Sequence, residues 1–76
     1  MITVKLYGLL RIESGIRERT IEAASIQGVR KDLLMQGISR KQLNSCIILI
    51  NGKPSNKRSL LNSGDVVQLM SPVAGG

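Results

Sequence analysis

A single amphipathic helix is the feature that most constrains the fold of this chain. Ser25 is a favourable N-cap, and Gly37 ends the helical pattern so that Ile38 can pack back on the last turn. Between them the apolar side chains recur at helical spacing and share one stripe: Ile26, Val29, Leu33 and Leu34. One stripe needs one apolar surface to cover it, so we expect the remaining segments to form a sheet over this helix.

The segments before the helix predict two strands. Ile2, Val4 and Leu6 alternate with residues of a different character, which is typical of a strand that turns one face to a core. Residues 8–15 are expected to form a loop. Residues 16–23 are interpreted as a charged strand that suits the edge of a sheet better than its middle. The two strands should form a hairpin.

The segments after the helix predict a short helical turn at residues 39–43 and then more strands. Residues 46–50 are apolar on both faces, which favours a strand covered on both sides, and Asn51-Gly52 should end it in a tight turn. Residues 53–59 are polar and basic, typical of a loop with at most a brief strand. After a turn at residues 62–65, residues 66–70 form the predicted last strand, with Val67 and Leu69 facing the core.

This order of elements predicts an α+β fold of the ubiquitin-like β-grasp type, with a mixed sheet packed on one main helix. In that arrangement the first and last strands run parallel in the centre of the sheet. We expect one domain at residues 1–70, because 76 residues are too few for two cores. Residues 71–76 should form a flexible tail that leaves the sheet from the end of its last strand.

Composition argues against several functional classes. The chain has no histidine, which removes the commonest general base and zinc ligand, so neither a metal site nor a self-contained hydrolase is expected. Tyr7 is the only aromatic residue, so base stacking on aromatic side chains is disfavoured and nucleic-acid binding is not the preferred interpretation of the net charge of +6. No apolar run is long enough to span a bilayer, and no signal peptide is evident, so we expect a cytoplasmic protein that does not act in a membrane.

The end of the chain is the best candidate for a functional site. Residues 71–76 have no apolar periodicity, and fully extended they could reach roughly 20 Å from the sheet. Pro72 favours an extended backbone, while Gly75 and Gly76 carry no side chain at the tip. A tail of this composition is suited to entering a narrow channel in another protein.

At this point the whole chain resembles the MoaD/ThiS family of ubiquitin-like sulfur carriers. The resemblance rests on the turn Ile50-Asn51-Gly52-Lys53, on the approach to the last strand through Gly64-Asp65-Val66, and on the ending Pro72-Val73-Ala74-Gly75-Gly76. That ending is most similar to the small subunit of molybdopterin synthase. The carriers of thiamine synthesis share the final glycines with a less similar approach.

The resemblance implies that Gly76 is the reacting residue and that the chain is not itself an enzyme. An adenylyltransferase of the ubiquitin-activating MoeB/ThiF type would activate the Gly76 carboxylate with ATP, and a sulfurtransferase would supply sulfur to make a thiocarboxylate. The tail residues Pro72, Val73, Ala74 and Gly75 would then insert into the molybdopterin synthase large subunit. ATP would be bound by the partner, and no cofactor by this chain. The alternatives are a carrier for thiamine or another sulfur metabolite, and a protein modifier conjugated through Gly76.

Three further groups of residues have two interpretations each. Tyr7, Leu61, Met70 and Val73 form either an exposed apolar patch around the tail or ordinary packing. The basic residues Arg40, Lys41, Lys53, Lys57 and Arg58 form either a docking patch or a solvated surface. Cys46 is interpreted as a small core residue in preference to a nucleophile, because no histidine is present to activate it.

Overall fold

A computed structural model describes residues 1–56 and 58–71 of the chain. The elements follow the order β1 (Ile2–Tyr7), α1 (Leu9–Ser14), β2 (Glu18–Ile21), α2 (Ile26–Met35), α3 (Arg40–Ser45), β3 (Ile47–Ile50), β4 (Lys53–Pro54) and β5 (Val66–Met70). The strands form one sheet in the order β2-β1-β5-β3-β4. Strands β1 and β5 are parallel and the other pairs are antiparallel. This is the predicted β-grasp arrangement, with β1 and β5 adjacent in the middle of the sheet.

The core lies between one face of the sheet and the helices. Strand β1 contributes Ile2, Val4 and Leu6, and β5 contributes Val67 and Leu69, as their alternation predicts. Helix α2 covers them with Ile26, Val29 and Leu33, while Leu34 packs against the margin of the core. The helical stripe predicted from the sequence is therefore confirmed, and it is the surface that packs against the sheet.

The ends of α2 are those that its sequence predicts. The Ser25 hydroxyl accepts a hydrogen bond from the Gly28 N–H at 3.3 Å, which caps the first turn. At the other end Gly37 has a φ of +99°, and the Ile38 N–H donates to the Leu33 carbonyl at 3.1 Å. This backbone pattern is a Schellman motif, which returns Ile38 to the core as expected.

Helix α1 corrects the prediction of a loop at residues 8–15. The helix has only six residues and no side-chain cap from its own N-cap residue, so its local sequence signal is weak. It forms because Leu10 is buried in the core, while Gly15 ends it in the left-handed conformation. Tertiary packing thus outweighs local propensity in this segment.

Two predicted strands differ from those observed. Strand β2 is restricted to Glu18–Ile21, shorter than the predicted 16–23, although it does lie at the sheet edge. Strand β3 begins at Ile47 and not at Cys46, and it is not covered on both sides, because Ile47 is 53% exposed. In β1 and β5, only the residues on the helix-facing side of the sheet are buried. An apolar run of this kind cannot distinguish a doubly covered strand from one with an exposed apolar face.

Two further predictions for this half of the chain are confirmed, the helical turn after Ser39 and the tight turn at Asn51-Gly52. Helix α3 follows Ser39, whose side chain and that of Gln42 form a capping box. Asn51 and Gly52 both have positive φ, at 51° and 83°, and connect β3 to the brief strand β4 as a two-residue hairpin.

Candidate functional site: the exit of the chain from the sheet

The chain leaves the sheet at the end of β5, between two neighbouring strands. Met70, the last residue of β5, pairs with Tyr7 of β1 on one side and with Ile47 of β3 on the other. Ser71 therefore emerges from the centre of one end of the sheet. The residues that the sequence assigns to the reacting tail lie outside the described residues. They are Pro72, Val73, Ala74, Gly75 and Gly76.

Ser71 is attached to the body of the domain. Its hydroxyl oxygen accepts a hydrogen bond from the Leu10 N–H at 3.0 Å, and its O–H donates one to the Tyr7 carbonyl at 3.3 Å. The sequence predicts that Ser71 belongs to the flexible tail, but its side chain bonds to both β1 and α1. The first residue after β5 is thus held at a defined place.

An apolar surface lies beside this exit on the outer face of the sheet. It consists of Tyr7, Ile47, Leu49 and Met70, which we call the exit surface. Cross-strand pairing places them together, since Tyr7 and Ile47 flank Met70, and Leu49 follows two residues after Ile47 on the same face. Ile47 is the most exposed of the four. Such a surface can be buried against a partner while the end of the chain is presented to it.

Tyr7 and Met70 thus lie where the sequence prediction of an apolar patch requires, whereas Leu61 does not. Leu61 is 8% exposed, and its N–H donates to the Ala24 carbonyl at 2.9 Å. It belongs to the core near the start of α2, so ordinary packing is the correct interpretation for this residue. Val73 lies beyond the described part of the chain.

Ile47 and Leu49 are not among the site residues that the sequence predicts. They belong to the apolar run at residues 46–50, whose pattern predicts a strand covered on both sides. The exposed face becomes evident only when β3 is paired with β5 and the helices are placed on the opposite side.

Lys53, one of the basic residues of the predicted docking patch, does not lie at the exit. Lys53 pairs with Ile50, and Ile50 pairs with Val67, so Lys53 lies level with Val67 along the strands. Val67 is three residues before Met70, which at a rise of about 3.3 Å per residue places Lys53 about 10 Å from Met70 along the strand direction. Arg58 is exposed in the segment whose Ser59 carbonyl accepts from the first residue of α2. Lys57 lies outside the described residues.

A different group of cations lies near the exit. A shallow groove beside Tyr7 is lined by Lys5 of β1, Arg11 of α1 and Arg17 of the segment that precedes β2, together with Glu18. Lys5 and Glu18 are 4.0 Å apart and form a weak ion pair. These residues come from three separate segments, so no pattern in the sequence could have grouped them.

Cys46 lies at the end of α3, one residue before Ile47 of the exit surface. The thiol is half-buried and donates a hydrogen bond to the Leu43 carbonyl at 3.0 Å. Desolvation on burial outweighs the nearby Arg30 guanidinium and raises the pKa of Cys46 above its ordinary value. A thiol with a raised pKa is a poor nucleophile at neutral pH, which agrees with a packing role.

Across residues 1–56 and 58–71, no group of three or more histidine, cysteine or acidic side chains is arranged to hold a metal ion. In the same part of the chain, no helix has the length and apolar character needed to cross a bilayer.

The fold and the exit together define a class: a small ubiquitin-like protein that presents its C-terminal segment from the centre of a β-grasp sheet. The sequence profile of the ThiS family matches residues 4–76, nearly the whole chain. The protein therefore belongs to the ThiS family, and the resemblance to ubiquitin-like sulfur carriers drawn from the sequence is confirmed. Among curated proteins no match to the sequence was found.

Solved structures with the same fold cover almost all of the chain. SAMP1 from Haloferax volcanii superimposes with a TM-score of 0.85 at 20% identity, covering 99% of this chain and 98% of that one. SAMP1 from Methanosarcina acetivorans gives a TM-score of 0.82 at 24% identity, with coverage of 99% and 95%. The complex of subunits 1 and 2 of the molybdopterin-converting factor from Helicobacter pylori contains a chain with a TM-score of 0.76 at 26% identity, with coverage of 99% and 97%. These neighbours confirm the predicted fold class.

Proposed function

We propose that this protein is a sulfur carrier whose reacting group is the carboxylate of Gly76. The observation that carries the proposal is the family match, which runs through Gly76 itself and includes the final Gly75-Gly76 pair. The central position of Ser71 at the end of the sheet supports it, because a segment that begins there can be presented without unfolding the domain. In this proposal the chain is a substrate of its partners and not an enzyme.

The chemistry requires activation, because a carboxylate does not react with a sulfur nucleophile directly. An adenylyltransferase that binds ATP would let a Gly76 oxygen attack the α-phosphate, with pyrophosphate as the leaving group. The terminal sulfur of a persulfide on a sulfurtransferase then attacks the acyl-adenylate carbonyl and AMP leaves. A second thiol then attacks the donor sulfur that is still bonded to the transferred sulfur. The bond between these two sulfurs breaks, a disulfide forms between the second thiol and the donor, and the Gly76 thiocarboxylate is released.

We further propose that the sulfur goes to a pterin precursor in molybdopterin synthesis. The ending Pro72-Val73-Ala74-Gly75-Gly76 supports this pathway, as does the similarity to a chain of the molybdopterin-converting factor complex from Helicobacter pylori. The tail would enter the larger subunit, where glycines at positions 75 and 76 add no side-chain bulk. Since activation consumes ATP, we place these steps in the cytoplasm.

The exit surface is the proposed contact with these partners. Tyr7, Ile47 and Met70 lie at the point where the chain leaves the sheet, and Leu49 continues the same face, so a partner that receives the tail must approach them. The groove lined by Lys5, Arg11 and Arg17 adds positive charge at the margin, which would steer an acidic partner surface toward the same end of the domain.

Intact-mass measurement tests the proposal. The protein is incubated with ATP, an adenylyltransferase of the MoeB/ThiF type and a persulfide donor, and a gain equal to one oxygen-to-sulfur exchange is expected. A matched chain extended by one alanine after Gly76 should keep its mass, because its carboxylate is displaced from the required position. If the unmodified chain also keeps its mass while a carrier of known activity gains sulfur, the proposal is wrong.

Two alternatives use the same carboxylate. A carrier for thiamine or another sulfur metabolite would gain sulfur equally but transfer it to a different acceptor, so the product of the transfer assigns the pathway. A protein modifier would form an isopeptide between Gly76 and a lysine, an option favoured by the archaeal neighbours that are named modifiers. After trypsin digestion, isopeptides that join the peptide of residues 59–76 to lysines of other cellular proteins would identify it, because Arg58 is the last basic residue of the sequence. None should be present if the protein acts only as a carrier.

A further inference from the structure

The corner between β1 and α1 has an unusual construction. Gly8 has φ +64° and ψ −141°, a conformation that residues with a side chain rarely adopt. As the N-cap of α1 it has no side chain with which to satisfy the first N–H groups of the helix. The Leu10 N–H would therefore lack a local partner.

Ser71 supplies that partner from the other end of the chain. Its hydroxyl oxygen accepts from the Leu10 N–H at 3.0 Å, and the same hydroxyl donates to the Tyr7 carbonyl at 3.3 Å. A serine that caps a helix normally precedes it in the sequence, but here it lies 61 residues away. We call these two hydrogen bonds the Ser71 clasp.

Gly8 also makes room for the clasp. A Cβ atom built on Gly8 would lie 3.0 Å from the Ser71 hydroxyl oxygen and 3.7 Å from the Ser71 Cβ. Among the other described glycines, the four that also have positive φ have no atom within 4 Å of such a Cβ. Both the backbone conformation and the absent side chain at Gly8 thus bring β1, α1 and Ser71 together.

We propose that Ser71 is a positioning residue for the reaction at Gly76. The clasp fixes the chain one residue beyond β5, so that a partner meets residue 71 already in a defined position. Each backbone residue that is ordered on binding has an entropic cost, and a segment already ordered in the free protein avoids it. This role rests on the proposed function, because it concerns how the tail is presented to the adenylyltransferase.

The test compares Ser71→Ala with two matched variants. Ser71→Thr keeps the hydroxyl, and Ser45→Ala removes an exposed hydroxyl that bonds only within α3. ATP–pyrophosphate exchange is measured with a MoeB/ThiF-type adenylyltransferase over a range of carrier concentrations. Loss of the clasp should raise KM for the carrier about three- to tenfold, the range for one net hydrogen bond, with kcat little changed. Ser71→Thr should restore KM, and Ser45→Ala should not alter it.

Amide hydrogen exchange separates the clasp from the proposed function. In Ser71→Ala the Leu10 N–H should exchange faster, whether or not a partner is present. Faster exchange with an unchanged KM would overturn the positioning role while leaving the sulfur-carrier proposal intact. Failure of the unmodified protein to support pyrophosphate exchange would overturn the proposed function and this role with it.

A double-mutant cycle tests the contact between Gly8 and Ser71. Gly8→Ala places a methyl group against the Ser71 hydroxyl, so it should lower Tm more in the unmodified chain than in Ser71→Ala, where the oxygen is gone. The backbone strain at Gly8 is present in both backgrounds and cancels. Equal losses in the two backgrounds would show that the methyl group does not meet Ser71, and would contradict the arrangement of the clasp.

Discussion

Replacement of Ile47 by serine should weaken partner binding more than any other single change on the exit surface. Ile47 lies beside Met70 at the point where the chain leaves the sheet, and 53% of it is exposed in the free protein. A partner that covers the exit would remove this apolar surface from water. The change keeps the backbone pairing of β3 and deletes most of the apolar side chain.

The exposed fraction sets the magnitude. Complete burial of an isoleucine side chain stabilises by about 1.5–3 kcal/mol. Since 53% of Ile47 is exposed, the partner can gain about half of that, or about 0.8–1.6 kcal/mol. This corresponds to a Kd raised about four- to fifteenfold. The other half already packs in the folded domain, so Ile47→Ser should also lower the free energy of unfolding by about 1 kcal/mol.

Leu60→Ser is the matched control. Leu60 is an apolar residue that is 78% exposed. It forms an isolated β-bridge with Ser25 near the start of α2, away from the chain exit. Isothermal titration of each variant with the adenylyltransferase, well below the unfolding temperature, gives the two Kd values. An unchanged Kd for Ile47→Ser, or an equal loss for Leu60→Ser, would refute the assignment of the exit surface.

Three further predictions concern the body of the domain. The Arg19 guanidinium donates two hydrogen bonds to Asp32 at 2.9 and 3.1 Å, so Asp32→Asn should lower the free energy of unfolding in urea by about 0.5–1 kcal/mol, and by less in high salt. Two hydrogen bonds to the Asp65 carboxylate hold its pKa below the ordinary value of 3.8. The Asn62 N–H makes the larger contribution and the Asn51 side-chain amide the smaller one. Because the folded pKa is the lower one, this contribution to stability is complete above pH 3.8 and is lost as the pH falls through the folded value. The urea midpoint of Asp65→Asn should therefore fall less than that of the unmodified chain on acidification, and equal slopes would contradict the assignment. Cys46→Ala should gain sulfur at Gly76 as before, since the thiol is half-buried with a raised pKa, and loss of the mass increase would instead give this residue a chemical role.

Several parts of the fold were predictable because their signals are local. The stripe on α2, its caps at Ser25 and Gly37, and the turn at Asn51-Gly52 each follow from side-chain spacing or backbone conformation within a few residues. Strand β1 alternates clearly because only one of its faces is buried. These elements, in their order along the chain, are sufficient to predict the β-grasp arrangement.

Other parts were not predictable because their cause is distant in sequence. Helix α1 depends on the burial of Leu10 and on a hydrogen bond from its backbone to Ser71. Ile47 has the same apolar character as its buried neighbour Ile48, and only the pairing of β3 with β5 decides which of them faces the helices. Leu61 was equally compatible with a surface patch and with the core until its position near α2 was known.

The amino-acid sequence by itself determines that this protein has one helix-covered sheet and carries the run Pro72-Val73-Ala74-Gly75-Gly76 after its last strand, and it is sufficient to identify the family. Only the tertiary structure decides which side chains surround the exit of the chain and that Ser71 is attached to β1 and α1. The physical reason is the separation along the sequence between the residues that interact. Helical periodicity and turn formation depend on neighbouring residues, whereas the exit is built from β1, β3 and β5, which meet only when the sheet has formed.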